Sequence, residues 1–367
     1  QQRAKEIKNH ADLKNQIWQD VVYPALADGK RVALFFVDAF RYEMGKSFTD
    51  SINRSYPSHV QIQPKLAFLP CVTRFGMANH LGPIKIVEHE GKAEPTVDGK
   101  LIASPTDRIE YLRAKVNVEI QDVRLENLQE TSIEENVRML VVRSQSIDSE
   151  GENNKLEGLA SMDKVLVRLS RAVNICKQNH FDMAVLVADH GFMVKSVFRM
   201  GDLINKPTGS DIVLEESRML MGNLNDSDDT LSFTPYDLGI DSDVMKLCYA
   251  KAFTVFRKGE VFYHEGLSLQ ENVVPQIVVK LQEERRHQSF RVDLKYKGNT
   301  KGTVYTRRPL IDIHIHQNDL FADAVALRMT IKDKNENVIG QPCEKFYDEV
   351  TQTLHIPSGV TQARQTI

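Results

Sequence analysis

The chain has 367 residues, a formal net charge of −3, 41% apolar and 26% charged residues. This balance fits a globular protein with room for two domains. It argues against a protein-wide basic nucleic-acid binder, while leaving room for a local basic groove. No apolar run approaches the ~20 residues of a membrane span, and no secretory pattern opens the chain. Together with four cysteines at 71, 176, 248 and 343, whose spacing suits neither a metal nor a redox pair, this predicts reduced thiols in a cytoplasmic protein.

The chain opens on Gln1, so residues 1–30 read as the N-terminal helical segment of a longer protein, packing through Ile17, Trp18, Val21 and Val22. Residues 32–37 (VALFFV) form a continuous apolar run that predicts a central parallel strand covered on both faces. Asp38 ends it, and a helix is expected over 41–54. Residues 59–69 alternate as a strand up to Pro70. Residues 105–115 predict a short helix with Pro105 in its first turn. A buried strand follows at 139–142. The spacing of Leu159, Met162, Leu166, Leu169, Val173 and Cys176 predicts an amphipathic helix over 156–179. Residues 184–187 are the next core strand and run into Asp189-His190-Gly191.

Residues 223–245 carry six Asp and no Lys or Arg, and read as a solvated loop or insertion. A hairpin around Lys258-Gly259 is expected over 253–262. Ser268 to Glu271 reads as a capping box, and 273–281 as a further strand. The charged run at 283–288 marks a domain boundary. Beyond it, 291–297, 310–316 and 324–332 alternate, which predicts a small all-β, sandwich-like domain over 288–367. Residues 31–285 alternate strands with helices, the pattern of an α/β fold with a mainly parallel sheet flanked by helices. Ligands gather outside the carboxyl ends of such strands, where Asp38 and Asp189 both fall.

Taken by themselves these residues leave alternatives open. Asp38 is either an N-cap or a ligand. Asp189 and His190 are either a metal-ligand pair or an ordinary turn that Gly191 permits. Thr73 is either a helix cap or a nucleophile that needs activation, with Arg74 beside it. Residues 147–154 read as an acidic loop. His314 and His316 alternate with isoleucines and are expected to face solvent together, and His59, His80 and His89 have no partner at ligand spacing. Lys195 and Arg199 suit a solvated face more than a substrate groove.

Four short motifs in order resemble the PglZ domain, a branch of the alkaline phosphatase superfamily. They are Val37-Asp38-Ala39-Phe40-Arg41-Tyr42-Glu43, Leu69-Pro70-Cys71-Val72-Thr73-Arg74, Ala188-Asp189-His190-Gly191-Phe192 and Tyr263-His264-Glu265-Gly266-Leu267-Ser268. The resemblance spans residues 31–281. It implies one divalent ion held by Asp38, Thr73, Asp189 and His190, and a second held by Asp148, Glu152 and His264. Where the superfamily more often has His, this chain has Glu152, which moves the expected metal from zinc towards manganese. Four carboxylates, Asp38, Asp148, Glu152 and Asp189, balance two divalent ions. The resemblance further implies Thr73 as nucleophile, with Arg41 and Arg74 on the non-bridging phosphate oxygens.

The implied function is a two-metal phosphodiesterase, or nuclease, acting on nucleic acid in a BREX-type phage-resistance system beside a DNA methyltransferase and ATPases. A phosphomonoesterase or phosphomutase would use the same metals. The competing class is a non-catalytic assembly module of the defence complex, docking through the C-terminal β domain.

Overall fold

A computed structural model describes residues 17–53, 59–258, 260–282, 291–296 and 308–316, with short stretches between 325 and 366; the side chains of 153–157, 159 and 160 are not among them. The chain divides into two compact units, Gln1–Gln282 and Glu283–Ile367.

The first unit is built on six strands: β1 (Val32–Val37), β2 (Val60–Leu66), β3 (Glu119–Arg124), β4 (Val137–Ser144), β5 (Met183–Val187) and β6 (Val273–Lys280). Their order is β2-β6-β5-β1-β4-β3. β1 is parallel to both β4 and β5, and β3 is parallel to β4, whereas β6 runs antiparallel to its two neighbours. The sheet is therefore mainly parallel, and its fold class is α/β. Every residue of β1 is buried because the two sheet faces feed two different cores. Val32, Leu34 and Phe36 enter one, with Phe75, Leu112 and Tyr249; Ala33, Phe35 and Val37 enter the other, with Phe48, Leu169 and Val173. Each such side chain removed from water contributes roughly 1.5–3 kcal/mol, which is why an unbroken apolar run is stable only between two helical layers.

The helices that matter for the site are α1 (Tyr42–Ile52), α2 (Thr73–Asn79), α3 (Pro105–Lys115), α4 (Ser146–Gln178) and α5 (Leu269–Asn272). α3 starts on a capping box of Ser104 and Asp107, with Pro105 in its first turn. α4 begins ten residues before the amphipathic pattern becomes visible, so residues 147–154 are helix and not an acidic loop. Met162, Val165, Leu169, Val173 and Cys176 line its buried stripe, Leu166 is half-buried, and the Leu159 side chain lies outside the described residues. Trp18–Val22, a π-turn, and the helix Tyr23–Ala27 bury Ile17, Trp18 and Val22 in the first core. Among the described residues no helix is long and apolar enough to cross a membrane.

The segment 223–245 is not a loop. Thr230–Phe233 is a strand of an antiparallel sheet with Gly209–Glu215, Met219–Leu224 and Lys246–Ala250. Thr234 and Asp237 cap a short helix, and Asp241–Ser242 pairs with Ile84–His89. Apart from Asp241, the aspartates sit in the turns and caps of these elements, which hides the strands from a charge count. Nor do residues 253–258 and 260–262 form a hairpin. Val255 bridges to Leu203, and Phe262–Tyr263 pairs with Met193–Val194; Val255, Met193 and Tyr263 share a small core, while Phe262 enters another; Gly259 lies outside the described residues.

In the second unit all the described elements are strands. Arg291–Tyr296, Leu310–His316 and Gln362–Thr366 form one antiparallel sheet; Val325–Leu327, Tyr347–Asp348 and Thr353–Ile356 form another. Ile311, Ile313 and Ile315 of the first share a small core with Leu354 of the second, a sandwich-like arrangement. His314 lies half-buried opposite Asp293 and Gln362; the His316 side chain lies outside the described residues. Cys71, Cys176 and Cys248 are buried free thiols, and Cys343 lies outside the described residues.

Candidate metal centre

Parallel pairing aligns Val37 of β1 with Ser144 of β4, and Phe36 with Val187 of β5. The carboxyl ends of three strands are thus level, and the residues that follow them share one edge. Asp38 follows β1, α4 starts just after β4, and Asp189 follows β5. Asp38 caps no helix: α1 starts four residues later behind Arg41. Thr73 is no cap either, since Val72 takes that place and Thr73 is the first helical residue of α2. Its Oγ1 lies 3.3 Å from His190 Nε2.

Two groups of three side chains converge here. Asp38, Asp189 and His190 are all buried; Asp148 and His264 are half-buried and Glu152 is exposed. In each group the three ligand atoms lie within 4.8 Å of one another. Asp148 and Glu152 meet because four residues apart is one helical turn of α4. The His190 and His264 rings, one from each group, stack at 4.3 Å and 6°. His190 Nδ1 donates to the Gly191 carbonyl at 2.9 Å, and His264 Nδ1 faces the Cys71 carbonyl at 3.3 Å. Both rings therefore turn Nε2 towards carboxylates: His190 towards Asp38 Oδ1 and Asp189 Oδ2 at 3.5 Å, His264 towards Asp148 Oδ1 at 3.9 Å. A second ring nitrogen anchored on a carbonyl is how proteins aim a metal-ligating histidine.

The electrostatics fit cations. Asp38 Oδ1, Asp189 Oδ2 and Asp148 Oδ1 are buried and make no hydrogen bond among the described residues, a costly state for carboxylate oxygens. Burial, then the charges of Asp189 and Asp148, hold the Asp38 carboxyl well above its ordinary range. Burial pushes Asp189 up to about 6; burial and Glu152 push Asp148 up to about 7. Burial pushes His190 down to about 4 and His264 to about 3, so both are neutral donors at neutral pH. Crowded carboxylates beside neutral imidazoles form a donor set that divalent ions stabilise.

The surroundings hold this geometry. Ala39 adopts φ +56°, and its N–H donates to Asp189 Oδ1 at 3.2 Å, tying the β1 and β5 loops together. Gly76 lets α2 press on Asp189: a Cβ there would stand 2.6 Å from Asp189 Cβ. Behind His264, buried Glu271 accepts the N–H groups of Gly266 and Ser268 at 2.9 and 3.0 Å and faces Arg218 Nε at 3.3 Å. Arg218 Nη2 in turn donates to the Ala252 carbonyl at 2.7 Å.

Residues 17–279 match the family model of the BREX system PglZ alkaline phosphatase-like domain. The chain belongs to the PglZ family. It is 25% identical over 321 residues to the alkaline phosphatase-like protein PglZ of Bacillus cereus (strain H3081.97), covering 81% of this chain and 36% of that protein, so it spans about a third of that relative's length. Among solved structures it is similar to human ectonucleotide pyrophosphatase/phosphodiesterase 5, with a TM-score of 0.45, 11% identity, 68% of this chain and 88% of that chain. It is also similar to phosphonoacetate hydrolase from Sinorhizobium meliloti 1021, with a TM-score of 0.43, 9% identity, 68% of this chain and 89% of that chain.

Within this PglZ chain the two arginines expected on phosphate oxygens have other partners. Arg41 pairs with Glu43 at 2.7 Å and lies over the Phe192 ring. Arg74 Nε donates to the Ala93 carbonyl at 3.1 Å and faces Glu94 at 3.5 Å. Lys195 pairs with Asp202 at 2.9 Å, and Arg199 is exposed. His80 is buried behind the site, bonded to the Ala188 carbonyl at 3.1 Å, and His59 and His89 join neither ligand group. Sequence reasoning missed Arg108, Arg124, Arg143 and Arg168, which line a cleft of about 470 Å³ that Asp38 and Thr73 also line. They come from α3, β3, β4 and α4, and no local motif joins four separate elements.

Proposed function

We propose that this chain is a two-metal phosphodiesterase acting on nucleic acid within a BREX-type antiphage system, with Thr73 as its nucleophile. One observation carries the reading: two three-ligand groups meet through stacked histidines, and a threonine hydroxyl stands 3.3 Å from His190 Nε2 of one of them. Divalent ions, zinc or manganese, supply neutralising charge for phosphoryl oxygens and acidify a hydroxyl when bound. Asp38, Asp189, His190 and Thr73 are the residues to hold one; Asp148, Glu152 and His264 are those to hold the other.

The chain's own groups divide the remaining work. Thr73 Oγ1 attacks phosphorus in line, and the ester oxygen departs with a proton. Water then hydrolyses the phospho-threonine. His190 Nδ1, fixed on the Gly191 carbonyl, keeps the ring from turning away from Thr73. The buried Asp38, Asp189 and His190 keep bulk water from one side of the reacting phosphate. The DNA methyltransferase and ATPases of such systems are the proposed partners.

Thr73→Ala is expected to lower diester hydrolysis by about a thousandfold or more while bound metal, measured by mass spectrometry, is retained. Full activity in that variant would remove Thr73 from the mechanism. If the wild-type chain binds zinc or manganese yet cleaves neither diesters nor monoesters, while its deletion abolishes phage defence, the chain is an assembly module instead.

A further inference from the structure

Although the chain is acidic as a whole, the cleft beside Thr73 is lined by four arginines. Arg108 is the deepest, only 7% exposed, and no carboxylate among the described residues lies within ion-pair distance of it. The countercharges that act on it most strongly are Asp189 and Asp38. Those carboxylates are the ones a bound cation would neutralise, which would leave a buried guanidinium in need of another anion. Arg143 is held rigid by two 2.7 Å hydrogen bonds to Asp122. Arg124 and Arg168 are exposed at the cleft wall and, among the described residues, form no ion pair. The acidic residues of the wall are engaged elsewhere: Glu126 accepts from Ser146 Oγ, and Glu150 accepts from Ser161 Oγ at 2.7 Å. The first turns of α3 and α4, at Pro105 and Ser146, also open onto this cleft with the positive ends of their helix dipoles.

Arg143 is paired with Asp122, so Arg108, Arg124 and Arg168 are the guanidiniums of the cleft left to meet negative charge beyond the phosphate that reacts at Thr73. We propose that the arginine-lined cleft is a subsite for a second phosphate of the substrate, beyond the one that reacts at Thr73. This deepens the phosphodiesterase reading and rests on it: the substrate carries a further phosphate on the group attached to the scissile ester. Guanidinium groups suit that role through paired hydrogen bonds to phosphate oxygens, and about 470 Å³ accommodates a nucleotide. Two sources present such chemistry, a nucleic-acid strand with a phosphate across each sugar, and a nucleoside polyphosphate with phosphates in direct sequence.

The test is equilibrium binding to the full chain by calorimetry, with and without manganese. The ligands are thymidine 5′-monophosphate, thymidine 3′,5′-bisphosphate and thymidine 5′-diphosphate. The wild type is expected to bind one of the doubly phosphorylated ligands at least about tenfold more tightly than the monophosphate. Arg124→Gln/Arg168→Gln is expected to abolish that preference, and Arg171→Gln, on the same helix outside the cleft, to keep it. Preference for the bisphosphate assigns the subsite to a strand; preference for the diphosphate assigns it to a polyphosphate. Equal binding of all three ligands, or a preference that survives the double substitution, overturns the proposal. The phosphodiesterase reading fails separately, if bis(p-nitrophenyl) phosphate is not cleaved with either metal.

Discussion

At Thr73 the demands of a helix start and of a hydroxyl facing the candidate centre are resolved by a shift of one position. Val72 takes the cap, and the hydroxyl is released towards His190. The acid–base state of its neighbours sets how metals enter. Burial pushes Asp189 up to about 6, burial and the Glu152 charge push Asp148 up to about 7, and burial holds Asp38 well above its ordinary range. Below neutral pH these carboxyls hold protons that an incoming cation must displace. His190 and His264, at about 4 and 3, are already neutral there and release none. Metal affinity is therefore expected to fall as pH drops from about 7 to about 5. Calorimetry in two buffers of different ionisation enthalpy should show proton release on binding that grows in that range. Binding with no net proton release at pH 6 would contradict this picture.

Among the elements, the loop that carries His264 depends on a buried charge pair that touches no ligand. Arg218 and Glu271 are both fully buried, and Gly266 leaves just enough room for Arg218, whose Nε would lie 2.4 Å from a Cβ at that position. Truncating one partner strands the other charge in a low-dielectric site, at about 3–5 kcal/mol. Arg218→Ala should therefore lower the melting temperature and bring bound metal below two ions per chain, measured together by scanning calorimetry and mass spectrometry. A variant that keeps its metal and its melting point would show that the loop is held by other contacts. This clamp was only half legible beforehand. Ser268 and Glu271 read correctly as a cap, since Ser268 N–H donates to Glu271, but Arg218 lies in the bend before the strand Met219–Leu224, 53 positions away. Asp148 and Glu152 were obscured for a related reason. The first turns of α4 are polar, so a helical face of candidate ligands looks like an acidic loop until its connection to β4 is seen.

For the whole molecule, the strands that build the centre announce themselves because each is buried on both faces and needs an unbroken apolar run; Asp38 and Asp189 stand where two of those runs end. The half-buried strands around them gave no such signal, and the segment 223–245 was hidden by its aspartates. All seven candidate ligands lie in Gln1–Gln282, which has its own cores. A chain ending at residue 282 is accordingly expected to fold, bind metal and hydrolyse a small diester within about threefold of the full chain, checked by circular dichroism and steady-state kinetics. Loss of metal binding on truncation would make the second unit part of the centre.

The stacked imidazoles have a consequence for how the centre fills. At 4.3 Å and 6° each ring restricts the rotation of the other. An ion captured by His190 freezes that ring, and the frozen ring holds His264 in the orientation its own ion needs. Whatever freedom the rings keep beyond their Nδ1 contacts is lost once, at the first binding event, so the second ion meets a site closer to set. Loading should be sigmoidal, with singly occupied chains scarce in native mass spectra at half-saturating metal; a hyperbolic curve with abundant singly occupied chains would show that the two groups fill independently.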